Sequence, residues 1–160
     1  MTSTTSQHVD ELIALAKQTL KDNVLGGYTV PTHGLYPFQW NWDSAIVALG
    51  WLPFDEPRAW EEVTSLTSAQ WKNGMIPHVV FHKPSDTYFP GPDIWGVKNT
   101  PDSTSITQPP VLATVVRLLY EKAQNRSVAD TNIATVIPQL LNYHCWWYHA
   151  RDPENTGLVV

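Results

Sequence analysis

The sequence predicts an all-α fold in which helical hairpins form part of a ring, with long aromatic-rich loops at one mouth. Apolar residues recur at three- and four-residue spacing in several separate stretches of the chain. The links between these stretches alternate between short and long, which predicts helices in pairs with the long loops at one end. No segment repeats with a fixed period, and this disfavours the solenoid arrays as an alternative.

The predicted helices cover residues 6–25, about 41–52, 55–70, 108–122 and 128–151. Ser6 is the predicted N-cap of the first helix, and Pro138 marks a kink or a break in the last. The second helix is apolar almost all round, which predicts that it is buried. Between the third and fourth helices, the Pro- and Gly-rich section 73–101 has no helical period and offers only Val79–Phe81 as an extended piece.

The composition is that of a globular domain, with 42% hydrophobic and 16% charged residues. A formal net charge of −5 and the lack of a basic run argue against a nucleic-acid partner. No apolar stretch is long enough to span a bilayer, and the N-terminus lacks the pattern of a signal peptide. Cys145 is the one cysteine, so no internal disulfide can form. We therefore expect one domain over residues 1–160 in the cytoplasm, with no membrane partner and no cofactor.

The densest cluster of side chains suited to ligand binding lies at the junction between a loop and the second helix. It comprises Tyr36, Phe38, Trp40, Trp42 and Asp43. Two of the eight tryptophans of the chain therefore lie in this cluster. An aromatic face packs against the C–H face of a sugar, and a carboxylate accepts two hydroxyl hydrogen bonds at once. The pattern is typical of a pyranose pocket. The alternative is that Asp43 caps the second helix while the tryptophans pack in the core.

Two further segments could belong to the same site. The proline-rich, aromatic stretch from Tyr88 to Gly96 suits the rim of a pocket, or equally a structural loop. Gln108 is predicted at the N-terminus of the fourth helix, with Pro109 and Pro110 in its first turn. There it could face a hydroxylated or anionic ligand, or merely help to start the helix.

Three other groups carry weaker signals. His78 and His82 are four residues apart, but the segment looks extended and offers no third ligand, so we expect no metal site. The aromatic run Tyr143–His149 is interpreted as a buried helix face. Cys145 within it lacks the neighbours of a nucleophile and is interpreted as a packed thiol.

Five segments of the chain resemble glycoside hydrolase family 63, and in particular its bacterial branch that cleaves glucosylglycerate and mannosylglycerate. The resemblance rests on Gly34-Leu35-Tyr36-Pro37, Trp40-Asn41-Trp42-Asp43, Gln70-Trp71-Lys72-Asn73-Gly74-Met75-Ile76-Pro77-His78, Tyr88-Phe89-Pro90-Gly91-Pro92 and Ile106-Thr107-Gln108-Pro109-Pro110-Val111. These motifs run in the order of the family from about Gly34 to Val160. The resemblance implies an (α/α)6 barrel, which agrees with the paired helices.

The resemblance also implies roles for individual residues. Tyr36, Trp40, Trp42 and Asp43 look like the wall and the hydroxyl clamp of the hexose subsite, and Tyr88 and Gln108 look like contacts toward the sugar and its glycerate. The family uses an inverting mechanism with one carboxylic acid and one carboxylate base. The matching acid and base segments do not occur in this sequence. We therefore expect the catalytic Asp and Glu beyond residue 160 and leave the catalytic residues unassigned.

A partial ring predicts open apolar helix faces, which favour either a second copy of the chain or the remainder of the barrel as the partner. The functional hypotheses are therefore an α-glycosidase of small glycerate-linked solutes represented by its N-terminal portion, a carbohydrate-binding remnant without catalysis, or a helical interaction module. Missing repeats and the Trp- and Pro-rich loops disfavour the third.

Overall fold

The structure is a computed structural model that describes residues 2–159, with the side chains described from residue 6 onwards. In chain order it contains α1 (Thr2–Asp22), β1 (Gln39–Trp40), α2 (Asn41–Trp51), α3 (Glu56–Ser68), β2 (Val79–Phe81), α4 (Pro92–Trp95), β3 (Asp102–Ser103), α5 (Leu112–Lys122) and α6 (Arg126–Arg151). The predicted ends of the domain, Met1 and Val160, lie outside the described residues.

The longer helices after α1 form two hairpins. A short link joins α2 to α3, another joins α5 to α6, and α2 also packs against α5 while α3 packs against α6. Asp55 caps α3 by accepting the N–H of Arg58 at 3.1 Å, and Asn125 caps α6 by accepting the N–H of Val128 at 3.3 Å. The predicted pairing of helices is therefore confirmed.

The main core lies between the two hairpins. Its largest fully buried side chains include Trp60, Leu66, Ile76, Leu112 and Leu119. Burying such side chains contributes about 1.5–3 kcal/mol each relative to leaving them in water. A smaller cluster of Phe38, Trp40, Val79 and Phe81 lies beside it, on β1, β2 and the residue before β1. The strand cluster supports the loops that carry the candidate site.

The three short strands form one antiparallel sheet in the order β1-β2-β3. Trp40 lies opposite Val79, and Val80 lies opposite Ser103. The sheet thus joins the long link before α2 to the long link after α3, so these two loops meet at one end of the hairpins. The strand at Val79–Phe81 was predicted, whereas β1, β3 and α4 are too short to leave a periodic signal in the sequence.

The boundaries of α1 differ from the prediction. Ser6 lies inside the helix and is not its N-cap, and the helix ends at Asp22 instead of Leu25. The chain turns back at this point, because the N–H of Leu25 donates to the carbonyl of Tyr28 at 2.9 Å and Val24 forms a bridge with Thr29. This local pairing replaces the last predicted turn of helix.

The start of α5 also differs from the prediction. The helix begins at Leu112, so Gln108, Pro109 and Pro110 precede it as irregular chain. A proline disfavours helical backbone in the residue before it, which keeps Gln108 and Pro109 out of the helix. In contrast, α6 continues through Pro138 without a break.

Burial on α6 is narrower than the aromatic run suggested. Tyr143 is buried and Trp146 and Trp147 are half-buried, but His144, Cys145, Tyr148 and His149 are exposed. A single packed face of a helix cannot cover seven consecutive side chains, because successive residues point about 100° apart. The interpretation of Cys145 as a packed thiol is therefore wrong, since its thiol is free and exposed.

Several apolar side chains of the helices are about half exposed or more within the described residues. They are Val9, Leu12, Ile13 and Leu15 on α1, Ile46 on α2, and Ile137 and Leu141 on α6. Ile46 is 60% exposed, so the expectation that α2 is buried on all sides is wrong for that face. In the part of the chain that the structure describes, no helix is long and apolar enough to cross a bilayer.

Candidate functional site

A cavity of about 200 Å3 opens at the N-terminus of α2, at the end of the hairpins where the long loops meet. Its lining consists of Pro31, Tyr36, Trp40, Trp42, Asp43, His78 and Gln108. Five of the six residues predicted to bind substrate are thus brought together, although they come from segments up to 72 positions apart in the sequence. The sheet brings β1 beside β2, and the first turn of α2 follows β1 directly.

Aromatic rings form one wall of the cavity. Tyr36 meets Trp40 edge-on, with ring centroids 5.4 Å apart and an interplanar angle of 89°. Trp40 is 6% exposed and firmly packed, whereas Tyr36 and Trp42 are 44% and 43% exposed. A packed ring with two accessible neighbours provides apolar faces that a ligand can contact without reorganising the core.

Asp43 supplies the carboxyl group of the cavity. It is the third residue of α2, while the N-cap position is held by Trp40, whose side chain makes no capping bond. Asp43 therefore does not cap the helix as the alternative interpretation supposed, although its charge suits the first turn of a helix. Burial raises the pKa of the Asp43 carboxyl, and the backbone N–H of Asp43 and the nearby His78 oppose that rise.

His78 is a cavity residue that the sequence analysis did not assign to the site. Its carbonyl accepts the N–H of Asn41 at 3.0 Å, and its own N–H donates to the carbonyl of Ile106 at 2.7 Å. Its Nδ1 is buried and finds no hydrogen-bond partner among the described residues. Burial lowers the pKa of His78, and Asp43 counters that effect. The position was detectable, because His78 closes one of the motifs that carry the family resemblance.

Gln108 reaches the cavity by a route that differs from the prediction. Its side-chain Oε1 accepts the backbone N–H of Trp42 at 3.1 Å, so it satisfies the first turn of α2 instead of its own helix. The backbone of Gln108 is also fixed by α6, because the Tyr143 hydroxyl donates to the carbonyl of Gln108 at 2.9 Å. The prediction that Gln108 lies at the start of the fourth helix is therefore wrong, but its position at a helix N-terminus is real.

Tyr88 does not line this cavity. It packs edge-on against Trp40, with ring centroids 5.5 Å apart, and lies 6.5 Å from the ring of Tyr36. On its other side it lines a neighbouring cavity of about 440 Å3 with the 83–94 loop. Burial raises the pKa of the Tyr88 hydroxyl. Tyr88 therefore lines the neighbouring cavity and packs against Trp40, which lines the first one.

The two histidines that raised the question of a metal lie in different surroundings. His78 faces the cavity with Asp43, whereas His82 contacts Gln39 through Nε2 at 2.7 Å and stacks on Tyr28 with ring centroids 4.1 Å apart. Burial lowers the pKa of His82 to about 4. Within residues 2–159, no three His, Cys, Asp or Glu side chains come together as a metal site.

Comparison with known proteins places the chain among glycoside hydrolases. It is 55% identical over 151 residues to the mannosylglycerate hydrolase MGH2 of Selaginella moellendorffii, covering 94% of this chain and 31% of that protein. It is 38% identical over 162 residues to the glucosylglycerate hydrolase of Mycolicibacterium hassiacum, covering 94% of this chain and 36% of that protein. The chain thus spans about a third of the length of these relatives.

The fold agrees with a solved structure. The family 63 mannosylglycerate hydrolase of Thermus thermophilus, in complex with Tris and D-glycerate, matches with a TM-score of 0.89 at 53% identity. The match covers 92% of this chain and 35% of that one, and it confirms the predicted fold class. The model of the mannosylglycerate hydrolase MGH1-like glycoside hydrolase domain matches residues 36–160. The chain therefore belongs to the family of MGH1-like glycoside hydrolase domains, as its motifs predicted.

Proposed function

We propose that the protein hydrolyses an α-glycosidic bond in a small glycoside such as mannosylglycerate or glucosylglycerate, and that this chain supplies part of the hexose pocket. The observation that carries the proposal is the convergence of Tyr36, Trp40, Trp42, Asp43 and Gln108 on one cavity. The names of the relatives and of the solved structure support the same substrate class.

Each side of the cavity offers what one side of a pyranose needs. The rings of Tyr36, Trp40 and Trp42 can pack against the apolar C–H face by dispersion. The Asp43 carboxylate can accept two hydroxyl hydrogen bonds, and such charge-assisted bonds are about twice as strong as neutral ones. His78 also lines the cavity. Gln108 lines the cavity and is the proposed contact toward the sugar and the glycerate. Tyr88 lines the neighbouring cavity, so it is a proposed contact for a ligand that extends into that cavity.

The proposed mechanism is inverting hydrolysis, in which an acid protonates the leaving oxygen and a carboxylate on the opposite face activates water. Among the described residues that line the cavity, Asp43 is the one carboxyl group. We assign Asp43 to binding, because the resemblance implies a hydroxyl clamp at this position and places the acid and the base in segments that this sequence does not contain. The acid and the base are not assigned to any residue of this chain.

Carbohydrate binding without hydrolysis is the second candidate, and the single carboxyl group among the described cavity residues favours it. The two candidates share one pocket and differ in one readout. Release of free hexose from mannosylglycerate by the protein, as its own gene produces it, supports hydrolysis. Binding without release supports the second candidate.

The test of the shared pocket is Asp43→Ala, with affinity for mannosylglycerate and glucosylglycerate measured by titration calorimetry. Binding should fall below detection while the unfolding temperature changes little, because Asp43 does not cap α2. Asp10→Ala, on the exposed surface of α1, is the matched control and should bind as the parent does. Unchanged affinity in Asp43→Ala would exclude Asp43 as the hydroxyl clamp.

We also propose that the exposed apolar faces of α1 and α6 are covered in the working protein, by further helices of an (α/α)6 ring or by a second copy. Leu12, Leu15 and Leu141 are all more than half exposed, which is costly for side chains of this size. The intact mass and the native mass of the protein from its own gene distinguish these two alternatives. A larger intact mass supports further helices in the same chain, and a native mass of two chains supports a second copy. A cytoplasmic setting stays our interpretation of the single cysteine.

A further inference from the structure

A buried carboxylate lies behind the candidate site. Glu62, in the middle of α3, is completely buried and accepts hydrogen bonds from four donors. Its Oε1 accepts from Ser44 Oγ at 2.6 Å and from Gln39 Nε2 at 3.1 Å. Its Oε2 accepts from the N–H of Thr29 at 2.8 Å and from Arg58 Nη2 at 2.6 Å. All the surrounding groups donate, so the arrangement is complementary to a carboxylate.

Two of these donors belong to the segments that carry the pocket. Ser44 follows Asp43 directly in the first turns of α2, and Gln39 precedes Trp40 in β1. Adjacent residues share a backbone, so fixing one limits where the side chain of the next can lie. Glu62 therefore links the acidic and the aromatic sides of the cavity through one side chain, without touching the cavity itself.

The amide of Gln39 extends the link to a third segment. Its nitrogen donates to the carbonyl and the carboxylate of Glu62, and its Oε1 accepts from His82 Nε2 at 2.7 Å and from Ser65 Oγ at 3.2 Å. The orientation of the amide is thus determined on both ends. His82 follows β2 directly, so β1 and β2 are tied by side chains as well as by their ladder.

We propose that Glu62 is a positioning residue of the hexose pocket, which sets Asp43 relative to Trp40 by holding Ser44 and Gln39. This inference rests on the proposed function of the pocket. It adds a residue from α3, a helix from which the family motifs supply no pocket residue. A purely structural buried charge would stabilise the fold without affecting the geometry of the cavity in particular.

The test is Glu62→Gln, compared with Glu56→Gln as a matched control. Glu56 is also a buried carboxylate on α3, but it accepts the N–H groups of Gln124 and Asn125, away from the pocket. Both variants replace a buried carboxyl group on the same helix by an amide of nearly the same shape. With mannosylglycerate as the probe and at a temperature where both are folded, we expect affinity to fall about tenfold in Glu62→Gln and to stay within about twofold in Glu56→Gln. Equal affinities in the two variants would overturn the proposal.

Ser44→Ala covers the case in which Glu62→Gln does not fold. It removes one donor to Glu62 beside Asp43 and should weaken binding about fivefold. Parent-like affinity in Ser44→Ala would count against the proposal.

A readout without ligand separates this inference from the proposed function. The indole N–H resonances of Trp40 and Trp42 should shift in Glu62→Gln and stay in place in Glu56→Gln. If the parent chain binds no glycoside, the proposed function fails, and these resonances alone decide on Glu62. Unmoved indole resonances in Glu62→Gln would show that Glu62 does not position the pocket.

Discussion

Gln108 Oε1 accepts the backbone N–H of Trp42 at 3.1 Å, across 66 positions of sequence. The contact satisfies one of the free N–H groups that the first turn of every helix leaves without an internal partner. It also fixes Gln108 beside Asp43 and Trp42 in the cavity. One side chain therefore caps α2 from outside and completes the candidate site.

Gln108→Ala is expected to lower the free energy of unfolding by about 1 kcal/mol, because it removes a cap from α2. It should also weaken binding of mannosylglycerate, since the amide that faces the cavity is lost. Gln108→Glu is the informative companion. Its carboxylate can accept the same N–H and suits a helix N-terminus, so part of the stability lost in Gln108→Ala should return, less the repulsion from the neighbouring Asp43. Chemical denaturation of both variants checks the prediction, which is wrong if Gln108→Ala unfolds as the parent does.

The sequence predicted the paired helices well because their cores are periodic. Leu66, Leu112 and Leu119 recur on the buried faces of their helices, and this spacing is visible in the chain itself. Short strands have no such signal. Gln39 and Trp40 are extended because they pair with Val79 and Val80, which lie about forty residues away, so no local pattern could reveal them.

The sequence predicted which residues belong to the candidate site better than it predicted how they are arranged. Residue chemistry and the family motifs brought Tyr36, Trp42 and Asp43 into one cluster, and the structure places them around one cavity. Gln108 was assigned to the wrong helix, because a tertiary contact to α2 cannot be inferred from its neighbours in sequence. Glu62 has no distinguishing context in the chain, and its role is visible only from its four partners.

Trp42→Ala should weaken glycoside binding about tenfold or more, because an accessible ring of the cavity wall is lost. The free energy of unfolding should change little, since Trp42 is 43% exposed. Ile46→Ala is the matched control, because Ile46 lies one turn further along α2 and is 60% exposed outside the cavity. Calorimetric titration of both variants is the measurement. Equal losses in the two would show that Trp42 acts through the helix and not through the ligand.

Gly74→Ala should destabilise the protein by about 3 kcal/mol or more, through backbone strain and a steric clash together. Gly74 has φ of +98°, and a Cβ built there lies 2.5 Å from the carbonyl oxygen of Asn142 on α6. Gly96→Ala isolates the first effect. Gly96 has φ of +62° with open space around it, so its variant should lose only about 1 kcal/mol. Urea unfolding of both compares them, and similar losses would mean that the clash with Asn142 relaxes freely.

Stability should fall as the pH is lowered from about 6.5 to about 4, because of His82. Burial lowers the pKa of His82 to about 4 in the folded chain, from 6.5 for an ordinary histidine. Between these values the unfolded chain binds a proton that the folded chain does not, so acid favours unfolding. Below about pH 4 both states are protonated at this site and its effect is constant. In the folded chain the ring stacks on Tyr28, and its Nε2–H donates to Gln39 Oε1.

The measurement is the free energy of unfolding across that range, in the parent and in His82→Gln. The variant should be less stable at pH 7 and should show a shallower fall toward pH 4, since the titrating group is gone. His8→Gln is the matched control, because His8 is exposed on α1 and its loss should leave the slope as it is in the parent. A slope that persists unchanged in His82→Gln would assign the acid sensitivity to other groups and leave the contact between His82 and Gln39 without a role in it.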